Sequence, residues 1–333
     1  MTRIGVLILL CTSLCFTSCI DKKTEENKPE ATSTILPSST GKVSEIVVVI
    51  SNDLWEGEVG AILKASFQEN IPALPQQEAY FDLYAIEAKD FSRIFKTHKN
   101  ILWLSLAEPT FEKKEQKWAK NQLFVRVSDI NEANLAKNLN NRVHQIRAWF
   151  LAKDQLRRIE KLKSGSEKDI EKQINEQFKI NTIIPKGYKS AVVQNDFIWL
   201  RKDHPEINVV SNLWISYKDY SHPKQFEKPE LVQLRDSIGK LHVEGAPPQS
   251  FMATELLYNP NYKLLKDQPY TIETRGLWTM VNDFLGGPYV AYAILDEKKQ
   301  KIIYAEGFVY CPGERKREYI ANLEAVLSSI SIN

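Results

Sequence analysis

The chain of 333 residues carries 44 Lys and Arg against 42 Asp and Glu, which leaves a net charge of +2 at pH 7. This balance gives no reason to expect nucleic-acid binding, because nucleic-acid-binding proteins usually present a strongly basic face. The hydrophobic fraction of 43% and the charged fraction of 26% are typical of a folded globular body, either two ordinary domains or one large one.

The first residues have the pattern of a secretory signal peptide. Residues 1–18 contain a single arginine followed by an apolar run shorter than the ~20 residues of a membrane-spanning helix. Thr17 and Ser18 are the small residues that lipoprotein signal processing requires before a cysteine. We therefore predict that residues 1–18 are removed and that Cys19 is acylated with fatty acids such as palmitate, which would anchor the protein to a membrane. The alternative is ordinary cleavage, which would release a free protein.

A polar segment separates the predicted anchor from the folded body. Residues 20–43 contain two prolines and no aromatic residue. Such a segment cannot bury enough apolar surface to offset the entropy of ordering it, so together with Cys19 it is predicted to be a flexible linker over residues 19–43. An acidic residue soon after the anchor can mark export to the cell surface, but Asp21 is followed by two lysines. We expect the periplasmic side.

The pattern of residues 44–128 predicts an N-terminal α/β sub-unit. Strands alternate with short helices there, which is typical of α/β architecture, although an α+β arrangement is also compatible with the pattern. The predicted strands are residues 45–50, 80–86, 100–106 and 122–127, and the predicted helices end near residue 67 and span residues 90–98.

Residues 129–179 are predicted to form a helical brace. Apolar residues recur at three- and four-residue steps from Leu135 to Ile159, and lysines and arginines are dense on the other face. Ser164–Gly165 interrupts this pattern, and Ser166 can cap a second helix. We expect the two helices to link or brace two sub-units.

Residues 180–333 are predicted to form a C-terminal α+β sub-unit. The fold class expected for the whole body is therefore α+β, with a mainly antiparallel sheet, flanking helices and two sub-units braced by long helices. The predicted strands are residues 191–193, 197–202, 207–217, 270–280, 289–295 and 301–310, and the predicted helices are residues 229–240 and 314–329.

No familiar catalytic or cofactor motif occurs in the sequence. It lacks a Gly-x-Ser-x-Gly elbow, a P-loop and a dinucleotide-binding fingerprint, and its five histidines lack zinc-ligand spacing. We therefore expect no cofactor and no metal. Cys311 precedes a basic helix start that would lower the pKa of its thiol. Its alternative role is a small residue filling a strand end, which we favour because no histidine is marked as its base.

Residues 275–289 are the main candidate for a binding site. They combine glycines and a proline with aromatic and charged residues, and the Gly-Gly-Pro run permits a tight turn and a close approach of the backbone. The alternative is a turn whose aromatic residues belong to the core. The basic run 315–317 could meet an anionic group or form a solvated first turn of a helix. The candidate binding residues are Arg275, Trp278, Asp283, Gly286, Gly287, Glu306 and Arg317.

Several short motifs of the predicted folded body together suggest a family. They are Asn52–Gly57, Leu74–Glu78 before Phe81, Asn100–Leu102, Thr274–Trp278, Asp283–Pro288, Glu306–Tyr310, Lys316–Tyr319 and Leu323–Ala325. Over roughly residues 44–330, the chain thereby resembles the domain of unknown function 4837 family of Bacteroidetes lipoproteins. The resemblance implies an envelope lipoprotein at the outer membrane and no established activity, so it assigns no catalytic residue. Cys311 stands where the resemblance leads us to expect an alanine, which argues further against a catalytic thiol.

Two hypotheses for function follow. The first is a non-catalytic module that binds an envelope protein or a glycan, since the sequence offers a predicted lipid anchor and no convincing catalytic set. The second is a hydrolase of cell-wall or glycan material that uses the carboxylates of Asp283 and Glu306. The hydrolase hypothesis requires these two carboxylates to converge in one concave pocket.

Overall fold

The computed structural model describes residues 35–266 and 269–333. The predicted signal peptide, the lipidation site Cys19 and the linker up to residue 34 lie outside the described residues. Among the helices that are described, none combines the length and apolar character needed to span a membrane. Residues 36–333 form one compact unit.

The N-terminal half is built on a five-stranded sheet. Its strands are Glu45–Val49 (β1), Asp82–Ile86 (β2), Asn100–Leu106 (β3), Thr110–Glu115 (β4) and Leu123–Asp129 (β5). Their order is β2-β1-β3-β5-β4, in which only β4 runs antiparallel to its neighbour. The accompanying helices are Asn52–Glu56 (α1), Glu58–Phe67 (α2) and Arg93–Lys96 (α3).

Both faces of this sheet are covered, which explains the β-branched run of β1. Ile46 and Val48 pack under α2 on one face, and Val47 and Val49 belong to a smaller apolar cluster on the other. A strand buried on both faces is expected to be apolar throughout, as parallel strands usually are.

A single helix of 32 residues, Glu132–Lys163 (α4), follows β5. It begins where the side chain of Asn131 accepts a hydrogen bond from the amide of Asn134. The next helix is Lys168–Phe178 (α5). Its N-cap residue is Glu167, whose side chain forms no capping hydrogen bond. The prediction that Ser166 caps this helix is therefore wrong.

The C-terminal half is built on an antiparallel sheet of eight strands. The strands of this half are Ile180–Asn181 (β6), Lys189–Gln194 (β7), Phe197–His204 (β8), Val209–Asp219 (β9), Phe251–Thr254 (β10), Asn261–Leu265 (β11), Thr271–Val281 (β12), Gly286–Asp296 (β13), Lys301–Tyr310 (β14) and Ser331–Ile332 (β15). The large sheet has the order β10-β12-β13-β14-β9-β8-β7, with β11 also paired to β12, while β6 pairs with β15. The helices are Lys228–His242 (α6) and Arg317–Leu327 (α7).

Helices cover both faces of the large sheet. Along β14, Ile303 and Val309 face the cluster that includes α5 and α7, whereas Ile302 and Phe308 face the aromatic cluster beneath α6. This alternation follows from the two-residue period of a strand. The structure confirms the predicted α+β class with a mainly antiparallel sheet and flanking helices.

The Gly-Gly-Pro run suggested a tight turn, but Gly286 and Gly287 lie in strand β13. A Cβ atom on Gly287 would lie 2.1 Å from the carbonyl oxygen of Val309, and one on Gly286 would lie 2.9 Å from that of Trp278. The glycines therefore allow the close backbone approach that the sequence indicated, and the chain reverses in the preceding residues 282–285.

Candidate functional site

The large sheet separates the candidate binding residues onto two faces. Arg275 lies on the face of α7, where its guanidinium contacts Glu273 at 2.8 Å and Glu324 at 2.7 Å. Trp278 is buried in the opposite cluster, and its indole nitrogen donates to the carbonyl oxygen of Val309 at 3.2 Å. The two side chains therefore do not share a cleft.

Glu306 is fully buried beneath α6. The guanidinium of Arg235 donates to its two carboxylate oxygens at 3.0 and 2.9 Å, and the hydroxyl of Tyr304 donates to one of them at 3.1 Å. Burial raises the pKa of Glu306 to about 7, and Arg235 opposes that shift. Arg235 also lies 4.1 Å from the ring centre of Tyr289, so the pair is enclosed by aromatic side chains.

Asp283 belongs to a separate surface site. It lies in a cavity of about 400 Å³ together with Trp278, Gly286 and Gly287. Its carboxylate accepts a hydrogen bond from the amide of Phe284. Glu306 pairs with Ala291, five residues along β13 from Gly286, which is about 17 Å at the usual rise of a strand. The structure thus does not bring Asp283 and Glu306 together.

The basic run at the start of α7 joins the two halves of the chain. The guanidinium of Arg317 donates to the Asp82 carboxylate at 2.6 Å and to the carbonyl oxygen of Ala79 at 2.9 Å. Lys316 is buried, and its backbone amide donates to Glu78 at 2.7 Å. Arg315 is the exposed member of the run.

Arg315 and Arg317 line a cavity with a volume of about 1160 Å³. We call this cavity the basic cleft. It lies at the amino ends of β1 and β2, between the N-terminal sheet, the end of α4 and the start of α7. Its basic residues are Lys42, Lys99, Arg157, Arg158, Lys161, Arg315 and Arg317. Its acidic residues are Glu45, Asp82, Glu160 and Glu318.

Several cations of the basic cleft have no carboxylate partner. Among the residues described, the ammonium groups of Lys42 and Lys161 and the guanidinium of Arg315 form no ion pair, and that of Lys99 donates only to the carbonyl oxygen of Gly41. Burial, with the positive charge of Arg157 adding to it, lowers the pKa of Lys99. The cleft is therefore short of negative charge, which an anionic ligand would supply.

A buried polar network forms the floor of the basic cleft. The guanidinium of Arg157 donates to Asp154 at 2.5 Å, to the side-chain oxygen of Asn100 at 2.6 Å and to the carbonyl oxygens of Lys99 and Asn121. Asp154 also accepts the backbone amide of Ser44 at 2.8 Å. These bonds fix the helix against the sheet and hold the backbone that carries Lys99.

One wall of the basic cleft is the free edge of the N-terminal sheet. Among the strands that the structure describes, β2 pairs only with β1, and its residues Leu83 and Tyr84 line the cleft. The Tyr84 ring is 50% exposed. The cleft thus places an aromatic surface beside its cations.

A second cavity, of about 620 Å³, lies between α4, α7 and strands β11 and β12. It contains Arg275 and is also lined by Arg317. Both guanidinium groups are already paired with carboxylates, so they tie elements together. The basic cleft, in contrast, contains cations that remain free.

Cys311 does not carry the features of an activated nucleophile. It is buried, and burial raises the pKa of its thiol above the ordinary value. Across the parts of the chain that the structure describes, no group of three or more His, Cys, Asp or Glu side chains is arranged to hold a metal ion.

The sequence-based reasoning missed Lys99, Arg157 and Lys161, which it assigned to no site. A usable indication was present in α4. The buried apolar stripe ends at Phe150 and does not continue to Ile159 as the sequence pattern predicted, and its next positions at the same spacing are Asp154 and Arg157. Charged residues that continue a buried stripe predict a buried polar network.

Two solved structures to which the chain is similar are both distant from it. The Ran-binding protein Mog1p of Saccharomyces cerevisiae is 10% identical, covers 46% of this chain and 89% of its own, and has a TM-score of 0.31. Human StAR-related lipid transfer protein 5 is 12% identical, covers 48% of this chain and 96% of its own, and has a TM-score of 0.25. Likenesses at this level carry no conclusion about function. No curated protein matches the sequence.

Two family models match adjacent parts of the chain. Residues 39–163 match the domain of unknown function DUF8532, and residues 167–329 match the domain of unknown function DUF4837. The second match confirms the suspected family but over a shorter range than the expected residues 44–330. The basic cleft takes residues from both matched segments. Over residues 167–329, just under half of its length, the chain is similar to the domain of unknown function 4837 family.

Proposed function

We propose that the protein is a non-catalytic binding module of the cell envelope, anchored by lipid on Cys19, which takes an anionic glycan in the basic cleft. The observation that carries the proposal is the set of unpaired cations in a cavity of about 1160 Å³. Pockets that bind small molecules usually have volumes of about 300–1,000 Å³, so the cleft has room for an oligosaccharide.

The arrangement of the side chains supports an anion of this kind. Lys99, Lys161 and Arg315 offer hydrogen-bond donors to carboxylate or phosphate groups, and charge-assisted hydrogen bonds are among the strongest in proteins. Tyr84 offers an exposed ring against which the apolar face of a sugar can lie. The polar floor around Arg157 holds the backbone that carries Lys99 before a ligand arrives, which reduces the entropy cost of binding.

The hydrolase alternative lacks its required geometry. Glu306 is fully buried and bound by Arg235, whereas Asp283 lies in a surface cavity that does not include Glu306. We therefore propose no reaction for these carboxylates.

Isothermal titration calorimetry with trigalacturonate, an anionic trisaccharide, tests the proposal, and maltotriose serves as the neutral control. We expect trigalacturonate to bind and maltotriose not to bind. The Lys99→Met variant should bind trigalacturonate at least about tenfold more weakly, because a hydrogen bond to a charged group contributes about 1.5–3 kcal/mol.

The matched control is Lys172→Met, which removes a solvated ammonium group on α5. Its affinity for trigalacturonate should equal that of the wild type. Equal affinity of the wild type for both sugars, or an unchanged affinity in Lys99→Met, would contradict the proposal.

A further inference from the structure

In the N-terminal sheet, the direction in which successive strands are added reverses at β1, because β2 lies on one side of β1 and β3 lies on the other. From β1 the chain passes through α1 and α2, over one face of the sheet, to β2. From β2 it returns through residues 87–99, over the other face, to β3 on the opposite side of β1. In open parallel sheets, ligands bind outside the carboxyl ends of the strands at such a reversal.

A crevice of about 600 Å³ lies at this position. Ile50 and Ser51 follow β1, Glu87 follows β2, and Ala107 follows β3. The basic cleft lies at the amino ends of β1 and β2, so the two cavities lie at opposite ends of these strands. We call this cavity the switch-point crevice, and the residues that define it are Ile50, Ser51, Glu87, Trp103, Ser105 and Arg126.

Two polar atoms in the switch-point crevice are buried without a partner. Neither Nε of Arg126 nor Oγ of Ser105 has a hydrogen-bond partner among the residues described. Leaving such an atom unsatisfied costs about 1–3 kcal/mol, so each one in a native structure calls for an explanation.

The carboxylates nearest to Arg126 are paired with lysines. The nearby carboxylate of Glu87 is held by Lys89. Glu112, the cross-strand neighbour of Arg126, pairs with Lys114. Within residues 35–266 and 269–333, Arg126 forms no ion pair.

Much of the remaining wall of the switch-point crevice is apolar. Leu54 and Leu104 line it, and the ring of Trp103 faces it from the residue paired with Arg126 in the sheet. Trp103 is held by an edge-to-face contact with Phe91, with 5.2 Å between ring centres. The crevice therefore combines the Arg126 guanidinium and the Ser105 hydroxyl with a fixed aromatic wall, beside Ser51 and the ion pair of Glu87 and Lys89.

We propose that the switch-point crevice binds a small organic carboxylate with an apolar or aromatic body. The carboxylate accepts hydrogen bonds from Arg126 and Ser105, which satisfies the two orphaned polar atoms. The apolar body lies against Trp103. This site is separate from the basic cleft and does not depend on the function proposed for it.

Isothermal titration calorimetry of the full protein with sodium benzoate tests this site. We expect the wild type to bind one benzoate and Arg126→Gln to bind it at least tenfold more weakly. Ser105→Ala should weaken binding by a smaller factor. The control Arg142→Gln, which alters an arginine stacked on Phe111, should bind like the wild type.

A second variant, which fills the crevice with a larger side chain, tests the proposal even if Arg126→Gln does not fold. Ala107→Phe leaves Arg126 in place but occupies the switch-point crevice, so benzoate binding should be lost. Thermal unfolding of each variant establishes that it is folded. Lack of benzoate binding by the wild type, or wild-type affinity in folded Arg126→Gln or Ala107→Phe, would overturn the proposal.

The two sites can be told apart with the same proteins. Lys99→Met should bind benzoate normally, and Arg126→Gln should bind trigalacturonate normally. Loss of benzoate binding in Lys99→Met would place the anion in the basic cleft and overturn the assignment to Arg126.

Discussion

At the residue scale, Arg157 is the centre of the polar network beneath the basic cleft. It is almost fully buried and reaches Asp154, Asn100 and two backbone carbonyl groups. A buried ion pair of this kind gives little net stability over an apolar replacement, but the loss of one partner leaves the other charge buried alone. The network therefore matters chiefly for positioning the backbone at Lys99.

Arg157→Met should destabilise the fold by about 3–5 kcal/mol, because Asp154 then remains buried without its cation. Urea denaturation measures this loss. The double variant Asp154→Leu with Arg157→Met should recover part of the stability, since no charge is then left buried. A single variant as stable as the wild type would show that the pair does not hold the helix to the sheet.

At the element scale, the end of α6 is fixed by an aromatic stack. The imidazole of His242 lies parallel to the ring of Phe197 in β8, with 3.8 Å between ring centres. Burial lowers the pKa of His242 below its ordinary value of 6.5, and the charge of Asp196 opposes this shift only in part. The folded state therefore binds this proton less strongly than the unfolded state does.

The stability contributed by neutral His242 should be present above pH 6.5 and should be lost as the pH falls through the lowered pKa. The His242→Phe variant keeps an aromatic ring stacked on Phe197 but has no imidazole to titrate. The free energy of unfolding of this variant, relative to the wild type, should therefore rise between pH 7.5 and pH 5. Urea denaturation at the two pH values measures it, and an identical pH dependence would contradict this account.

The elements show which patterns could be predicted from sequence. The long helix α4 and strands β12 to β14 have regular apolar spacing and were predicted close to their observed ranges. Strand β4 was missed because most of its side chains are charged or polar and only its pairing with β5 holds it in the sheet. Strands β10 and β11 were missed because they are short and lie at the edge of the large sheet.

The candidate sites were harder to predict than the fold. Residues 275–289 did contain a buried aromatic residue and a close backbone approach, but both serve the core. The basic cleft joins side chains that are far apart in sequence, such as Lys42 and Arg315, so local patterns could not bring them together.

At the scale of the whole molecule, the two family matches meet between residues 163 and 167, yet residues 36–333 form one compact unit. Polar contacts cross between the matched segments. Arg158 contacts Glu318 at 2.8 Å and Asn322 at 3.0 Å, and Arg317 contacts Asp82. Since the basic cleft lies where these contacts cross, a ligand there would engage both segments at once.

The anchor is a separate prediction about the whole molecule. In cells grown with labelled palmitate, the wild type should carry label and fractionate with membranes. Cys19→Ser should carry no label, because the acyl acceptor is absent. Equal label in the two proteins, or a wild type found wholly in the soluble fraction, would contradict lipid anchoring.

The most direct test of the central claim is a crystal of the protein soaked in sodium selenate and examined by anomalous diffraction. Selenate is a compact anion whose position can be read from its anomalous signal. We predict a peak in the basic cleft within hydrogen-bond distance of Lys99, Lys161 or Arg315. A map with no peak in the cleft would contradict the claim that its unpaired cations form an anion-binding site.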